Sequence, residues 1–462
     1  MRQSKKLYTL TLVVIFMAMF PFNLFGEESF EQLWEKVEKA KAEGLPQSAI
    51  KCIEPIYEKA IKEEEPAQAV KAVCETIVLE GEIQGNKPEE KIIRLEKEIK
   101  KSNPDIKPML SIILAKWYYH YFSRNRYRFI RRSTTEGLEE KDFTTWDLPK
   151  LFKHIGELYE NVLASEKELV GVPISKFNGF LEKGNQPVEL RSNLFEFFVH
   201  DALEFYSCND QTTARPKDAF ELDADSKAFA EVSEFIVWEP ETTDKDSSVY
   251  KVLKLYQRLL NLNKATNNIN ALLDNDLLRL EWAYKNAVGE EKHDNYRNAL
   301  RRIAEAYPNN EYSAKALYLL ASIYKDKGDF VTAMKYAKEA SSKWPESYGG
   351  VMAKRIISDI EYPSISYGTE KILTQENLKI RVNYRNLDHA YFKIFKRKES
   401  EILNNKEGGH DYFGRVDAER LAKEKGDLEF DVSLEPSEDY KVKSVNIDLP
   451  KLEKGYYLIL SI

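Results

Sequence analysis

The apolar residues of this chain change their period once, and that change limits the fold more than any other feature. From Phe30 to about Ile360 they recur at helical spacing. Past "EYPSISYG" (Glu361 to Gly368) they alternate, first in Leu378, Ile380, Val382 and Tyr384, then in Ala390, Phe392 and Ile394, and again in Leu428, Phe430, Val432 and Leu434. A 3.6-residue period builds a helix with one buried stripe, whereas a period of two builds a strand with one buried face. "SVNIDLPKLEKGYYLILSI" supplies two more strands around a turn. The expected architecture is multidomain and mainly α: an α-helical solenoid over residues 27–362, then an antiparallel β-sandwich over residues 369–462. Pro363 to Gly368 reads as the separable connector. The apolar run at Tyr456 to Ile462 is expected to leave an exposed strand edge in a truncated sheet.

Within the helical part, "FEQLWEKVEKAKAEGLPQSAIKCIEPIYEKAI" predicts a helix-turn-helix unit. Phe30, Leu33, Trp34 and Val37 share a face, Gly44 suits a C-terminal cap, and Pro46 suits the first turn of the next helix. The clearest repeat is "AKALYLLASIYKDKGDFVTAMKYAKEASSKWP". Leu317, Leu320, Ala321, Tyr324, Gly328, Ala333, Ala337, Ala340 and Pro345 fall there at tetratricopeptide spacings. Small Ala321, Ala333 and Ala340 let two helices approach, while Leu317 and Tyr324 fill the space between hairpins. The preceding unit is looser, with Ala299, Ile303 and Pro308 in register. These are structural repeat positions, and the expected solenoid is tetratricopeptide-like with degenerate hairpins around one clear unit.

The chain opens with Arg2, Lys5 and Lys6 ahead of an apolar run from Leu7 to Phe22, and small Gly26 precedes Glu27. Residues 1–26 therefore read as a signal peptide or membrane anchor, which sends the rest to the periplasm, cell envelope or exterior. No cysteine follows the run to carry a lipid. The net charge is −7, and losing a signal with three basic and no acidic residues takes it to −10, which disfavours polyanion partners. Cys52, Cys74 and Cys208 lack the paired spacing of a zinc site. Helices over Pro46 to Lys62 and Pro66 to Glu80 would bring Cys52 and Cys74 to similar heights, but packed axes lie about 8–10 Å apart and a disulfide needs Cα atoms within about 7 Å. The three are expected as core thiols.

"WYYHYFSRNRYRFIRRSTTEG" (Trp117 to Gly137) combines rings and arginines as nucleic-acid surfaces do. The preceding "MLSIILAKWYYHYF" is apolar nearly all round, with Leu110, Ile113, Leu114, Trp117 and Tyr121 on one face and Ile112 and Tyr119 beyond it, which reads as a helix buried between neighbours. Arg124, Arg126, Arg128, Arg131 and Arg132 then sit at a helix end, and acidic Glu136, Glu139, Glu140 and Asp142 follow. The expectation is structural arginines and no nucleic acid.

No GxSxG elbow, HExxH pair or Gly-rich phosphate loop occurs. His120, His154, His200, His293, His389 and His410 are dispersed, and "GGHDYFG" (Gly408 to Gly414) is explained by a hairpin connection as well as by a ligand loop. No catalytic residue, cofactor or metal site is expected.

The segments "LWEKVEKAKAEGLPQSAIKCIEPIYEKA", "NRYRFIRR", "TTWDLPKLFKHIGELYENVL", "LRSNLFEFFVHDALEFY", "ENLKIRVNYRNLDHAYFKIFKR" and "LPKLEKGYYLIL" together resemble the N-terminal part of the large exported α2-macroglobulin-family proteins of Bacteroides-like bacteria. That resemblance implies a signal, a tetratricopeptide-like helical region and then a first macroglobulin-like β-sandwich. It also implies a protease-trapping, endopeptidase-inhibitor role whose bait and Cys-Gly-Glu-Gln thioester lie elsewhere. The cysteine contexts here, "KCIEP", "VCETI" and "SCNDQ", do not match that thioester. The implied partners are proteins, among them proteases met through further domains. A competing expectation is a solenoid adaptor for an envelope protein.

Overall fold

The computed structural model describes residues 28–131, 142–182, 184–211, 219–369, 378–398 and 415–461. The expected signal or anchor, the acidic run Glu136 to Glu140, Arg132 and the "GGHDYFG" segment lie outside these residues. The chain is mainly helical and divides into two compact units, Met1–Lys217 and Asp218–Ile462.

The first unit is a succession of helices: α1 Phe30–Ala42, α2 Pro46–Lys62, α3 Pro66–Ile83, α4 Pro88–Lys101, α5 Lys107–Arg124, the short α6 Arg126–Ile130, α7 Leu148–Leu163, α8 Glu166–Val170 and α9 Leu194–Ser207. Ser29 and Gln32 start α1 with a capping box, in which each side chain accepts from the other residue's backbone N–H. Leu33, Trp34 and Val37 are buried with Ile53 and Ile56 of α2 and Ala72 and Leu79 of α3, in one core. α5 is buried on most sides: Leu110, Ile112, Leu114, Tyr118, Tyr121 and Phe122 are enclosed, whereas Ile113 and Trp117 are only half-buried. Its rings pack edge-on against Phe143, Phe152, Phe129 and Phe205 at centroid separations of 4.9–6.1 Å, a preferred geometry for aromatic cores.

In the second unit a largely irregular strap from Phe220 to Ser247 contains β1 Leu222–Asp223 and the short α10 Val232–Phe235. Helices α11 Ser248–Ala265, α12 Ile269–Asn286, α13 Lys292–Ala306, α14 Glu311–Asp326, α15 Phe330–Lys343 and α16 Tyr348–Glu361 follow, and β2 Ala287–Val288 pairs in parallel with β1. α14 packs on both α15 and α16, so alternate helices touch as well as successive ones.

One turn recurs between these helices. Gly44, Glu64, Asn267 and Gly328 adopt φ of 70°, 55°, 54° and 74° one residue past a helix cap. In each case the next amide, Leu45, Glu65, Asn268 or Asp329, donates to the carbonyl five residues back at 2.9–3.0 Å. That bond satisfies an orphan carbonyl of the ending helix and reverses the chain within three residues.

The C-terminal part forms two three-stranded antiparallel sheets. β3 Ser364–Gly368, β4 Lys379–Arg385 and β7 Lys443–Asp448 make one, in the order β3-β4-β7. β5 His389–Arg397, β6 Leu428–Ser433 and β8 Tyr456–Ser461 make the other, in the order β6-β5-β8. The alternating residues Ile380, Val382 and Tyr384 meet Ala390, Phe392 and Ile394 in a common core, and Tyr367 on β3 donates to the Ile459 carbonyl on β8 at 2.5 Å. Helix α17 Arg415–Lys423 packs against β8, with Leu421 buried; Lys393 of β5 caps its end by donating to the Ala422 and Glu424 carbonyls at 2.8 and 2.9 Å.

Two details differ from the sequence expectation. Ser364–Gly368 is a strand, registered from Ser364↔Arg385 to Gly368↔Arg381, and not an unordered connector. The strands of "SVNIDLPKLEKGYYLILSI" do not pair with each other: β7 joins β4 while β8 joins β5. Among the described residues β8 is an edge strand, as expected.

Candidate functional site

The repeat positions come together in the second unit. Leu317, Leu320 and Ala321 of α14 and Ala333, Ala337 and Ala340 of α15 are at most 4% exposed, which places alanine against alanine where the two helices cross. Tyr324 is half-buried and stacks on Tyr336 with ring centroids 5.7 Å apart. Gly328 supplies the left-handed residue of the turn, and Pro345 follows Trp344, which caps α15. Sequence reading missed Gly349 and Gly350. A Cβ on Gly349 would overlap the backbone of Ala314 and Lys315, and one on Gly350 the Trp344 carbonyl oxygen, so the start of α16 lies directly against the main chain of its neighbours.

The arginines of the α5–α6 junction are arranged differently from the expectation. Arg126 meets Asp210, just beyond α9, at 2.6 Å, and Tyr119 donates to the same carboxylate at 3.1 Å. Arg124, Arg128 and Arg131 are exposed beside Tyr127, which is 79% exposed. The rings of this stretch thus divide, with Tyr118, Tyr121, Phe122 and Phe129 in the core and Tyr127 outside.

The strap is held by side chains that donate to its carbonyls: Gln257 to Phe235 and Trp238 at 2.8 and 2.5 Å, Arg279 to Ala230 at 2.9 Å, Arg302 to Phe229 at 3.1 Å and Asn295 to Ala224 at 3.0 Å. Arg279 is fully buried, lies over the Phe235 ring at 4.3 Å and pairs with Asp276 at 2.7 Å. Burial pushes the Asp276 carboxyl up against the opposing pull of Arg279. Asn263 and Asn275 are buried in the same helix pair and bond to each other at 2.8 Å. None of these residues was singled out from sequence; in "INALLDNDLLRLEW" Asn275, Asp276 and Arg279 read as the polar positions of an amphipathic helix.

Cys52, Cys74 and Cys208 are free thiols, and burial pushes that of Cys74 up to about 12. His154 lies edge-on to Tyr118 and Trp146, at 5.1 Å from each ring, and burial lowers its pKa against the pull of Glu96 and Glu157. Among the described residues no group of three or more His, Cys, Asp or Glu is placed to hold a metal ion, and no helix is long and apolar enough to cross a membrane.

The first unit also carries a groove of about 510 Å³ along α3, between α2 and α4. Ala72, Val73 and Thr76 of α3 line it, the first two at only 1% and 6% exposure. One wall carries Glu54, Tyr57 and Glu58 from α2; the other carries Arg94, Lys97, Glu98 and Lys101 from α4, and Glu80 of α3 lies between them. No family model matches the chain, and no curated protein matches it.

Proposed function

We propose that this chain is a non-enzymatic scaffold: the N-terminal portion of an exported protease-trapping protein resembling the α2-macroglobulin family. The observation that supports this reading most is the succession of an alternating helix array and a two-sheet antiparallel domain, in the order the family resemblance implies. Its side chains serve packing: alanines at the helix crossing, and guanidinium and amide groups that hold a strap. On this reading the tetratricopeptide-like region and the macroglobulin-like sandwich position bait and capture domains that lie elsewhere in the protein.

The test compares the natural polypeptide with residues 28–462 alone. Each is preincubated in excess with a protease, and cleavage of a large protein and of a small peptide is then followed. The reading expects the natural polypeptide to protect the large substrate while the small one is still cut, and residues 28–462 to protect neither. A natural polypeptide that contains no further sandwich domains and protects nothing would instead favour the solenoid adaptor.

A further inference from the structure

The corner where α5 turns into α6 sets cations around two exposed apolar side chains. Phe129 points inward and is 2% exposed, with its ring 6.1 Å from that of Tyr121 and 5.9 Å from that of Phe122. The Asn125 side chain donates to the Tyr121 carbonyl at 2.9 Å, and Arg126 is tied to Asp210 at 2.6 Å. These contacts fix the backbone of the corner, so its outward side is presented in one arrangement. On that side stand Tyr127 and Ile130, 79% and 41% exposed, three residues apart and therefore neighbours on one helix face. Arg131 follows with its guanidinium 6.0 Å from the Tyr127 ring, and Arg124 and Arg128 are exposed alongside. Asp210 neutralises Arg126, whereas Arg124, Arg128 and Arg131 make no ion pair among the described residues. In a chain of net charge −7 this cluster gives one corner, and not the molecule as a whole, an attraction for a negative surface.

We propose that this corner rests on an anionic lipid surface, with Tyr127 and Ile130 entering the headgroup layer and Arg124, Arg128 and Arg131 against lipid phosphates. Two observations favour a bilayer over a nucleic acid. A nucleic-acid surface lines up several rings as stacking platforms, but here Tyr127 is outside while Tyr118, Tyr121, Phe122 and Phe129 are buried. The exposed Ile130 has no counterpart in a stack of bases, whereas an aromatic and an aliphatic side chain beside arginines match the membrane interface, where amphipathic rings and long cations settle. Each arginine held near a negative membrane surface contributes about fivefold in affinity. Three of them with two apolar contacts give reversible, lipid-dependent attachment and not an anchor. The proposal holds for a trap and an adaptor alike; the reading of residues 1–26 as a signal or anchor is what brings the chain to a bilayer.

The experiment sediments residues 28–462, which lack the apolar N-terminal run, with vesicles of phosphatidylcholine mixed with phosphatidylglycerol and with vesicles of phosphatidylcholine alone. Partition into the anionic vesicles is expected to exceed that into the neutral ones at least about tenfold and to fall as salt is raised. The Arg124→Glu, Arg128→Glu, Arg131→Glu variant should bind the anionic vesicles no better than the neutral ones. Tyr127→Ser, Ile130→Ser, which leaves every charge in place, should lose about fivefold on the anionic vesicles, with circular dichroism melts checking that each variant is folded. Soluble glycerol phosphate at matched phosphate concentration should leave the partition unchanged, because the apolar contacts need a bilayer. Equal partition into the two kinds of vesicle, undiminished binding by either variant, or displacement by glycerol phosphate would each overturn the proposal. So would binding of single-stranded RNA at the same salt that the triple variant loses, which would assign the corner to a nucleic acid.

Discussion

The helix pairs α11–α12 and α14–α15 are joined by the same turn and differ in the polar groups they bury. Each turn has a left-handed residue, Asn267 or Gly328, followed by an Asx cap, Asn268 accepting from the Ala271 amide or Asp329 accepting from the Thr332 amide. Both pairs bury apolar side chains, but α11 and α12 also bury Gln257, Asn263, Asn275, Asp276 and Arg279, whereas the buried polar side chain of α14–α15 among the described residues is Ser313 alone. A helical hairpin fixes only the path of the backbone. What the interface is made of depends on what lies over it, and over α11–α12 lies a strap whose carbonyls need donors.

The comparison breaks most sharply at Arg279. Arg279→Leu leaves Asp276 buried without its partner and the Ala230 carbonyl without its donor, and should cost about 3–5 kcal/mol in urea unfolding. The pH dependence has a definite sign. Burial already raises the Asp276 pKa above its ordinary 3.8, and without Arg279 the rise grows. A carboxyl whose folded pKa is raised favours the folded state at low pH and loses that contribution as pH rises through the folded value. The deficit of the variant should therefore shrink as pH falls from neutral toward 3.8, and a deficit constant with pH would exclude ionised Asp276 as its origin.

Gly349→Ala tests the apolar side of the comparison. The added methyl meets the Ala314 and Lys315 backbone, which cannot rotate away, so a loss of about 1–3 kcal/mol is expected in the same assay. Smaller effects are expected at the shared turn. Gly328→Ala should cost about 1 kcal/mol and Asn267→Gly should gain a few tenths, since both positions hold φ above 50°. The smallest contrast is between two Arg–Asp pairs. Arg126, about half exposed against Asp210, should lose less than about 1 kcal/mol on replacement by alanine, with Arg128→Ala unchanged and neither variant altering nucleic-acid binding measured by anisotropy.

Much of the fold could be read from local pattern. The change of period located the strands that contain Ile380, Phe392 and Phe430, and Gly44 with Pro46 and Gly328 marked turns because only a few residue types suit those backbone positions. The same turn at Glu64 could not be read, because glutamate carries no such preference and its φ of 55° is imposed by the helices on either side. Arg279 was illegible for a different reason. Its acceptor, Ala230, is 49 residues away and is a backbone atom, which leaves no signature in the side-chain sequence. Strand pairing was also hidden: β7 and β8 are neighbours in sequence, but each pairs with a strand more than 50 residues earlier.

The strand at Ser364–Gly368 bears on how the second unit carries load. At the β4–β5 turn Arg385 donates to the Asp359 and Tyr362 carbonyls at 3.0 and 3.2 Å, and Asn386 donates to that of Ile360 at 2.7 Å. The last turn of α16 is thus bolted to the hairpin, while β3, leaving the same helix, is zipped along β4. Tension applied to the sheets would reach α16 through two parallel attachments, the covalent chain and this clasp, so the junction behaves as a stiff lever and not as a string. A twist of either part is passed to the other before the peptide between them can slacken.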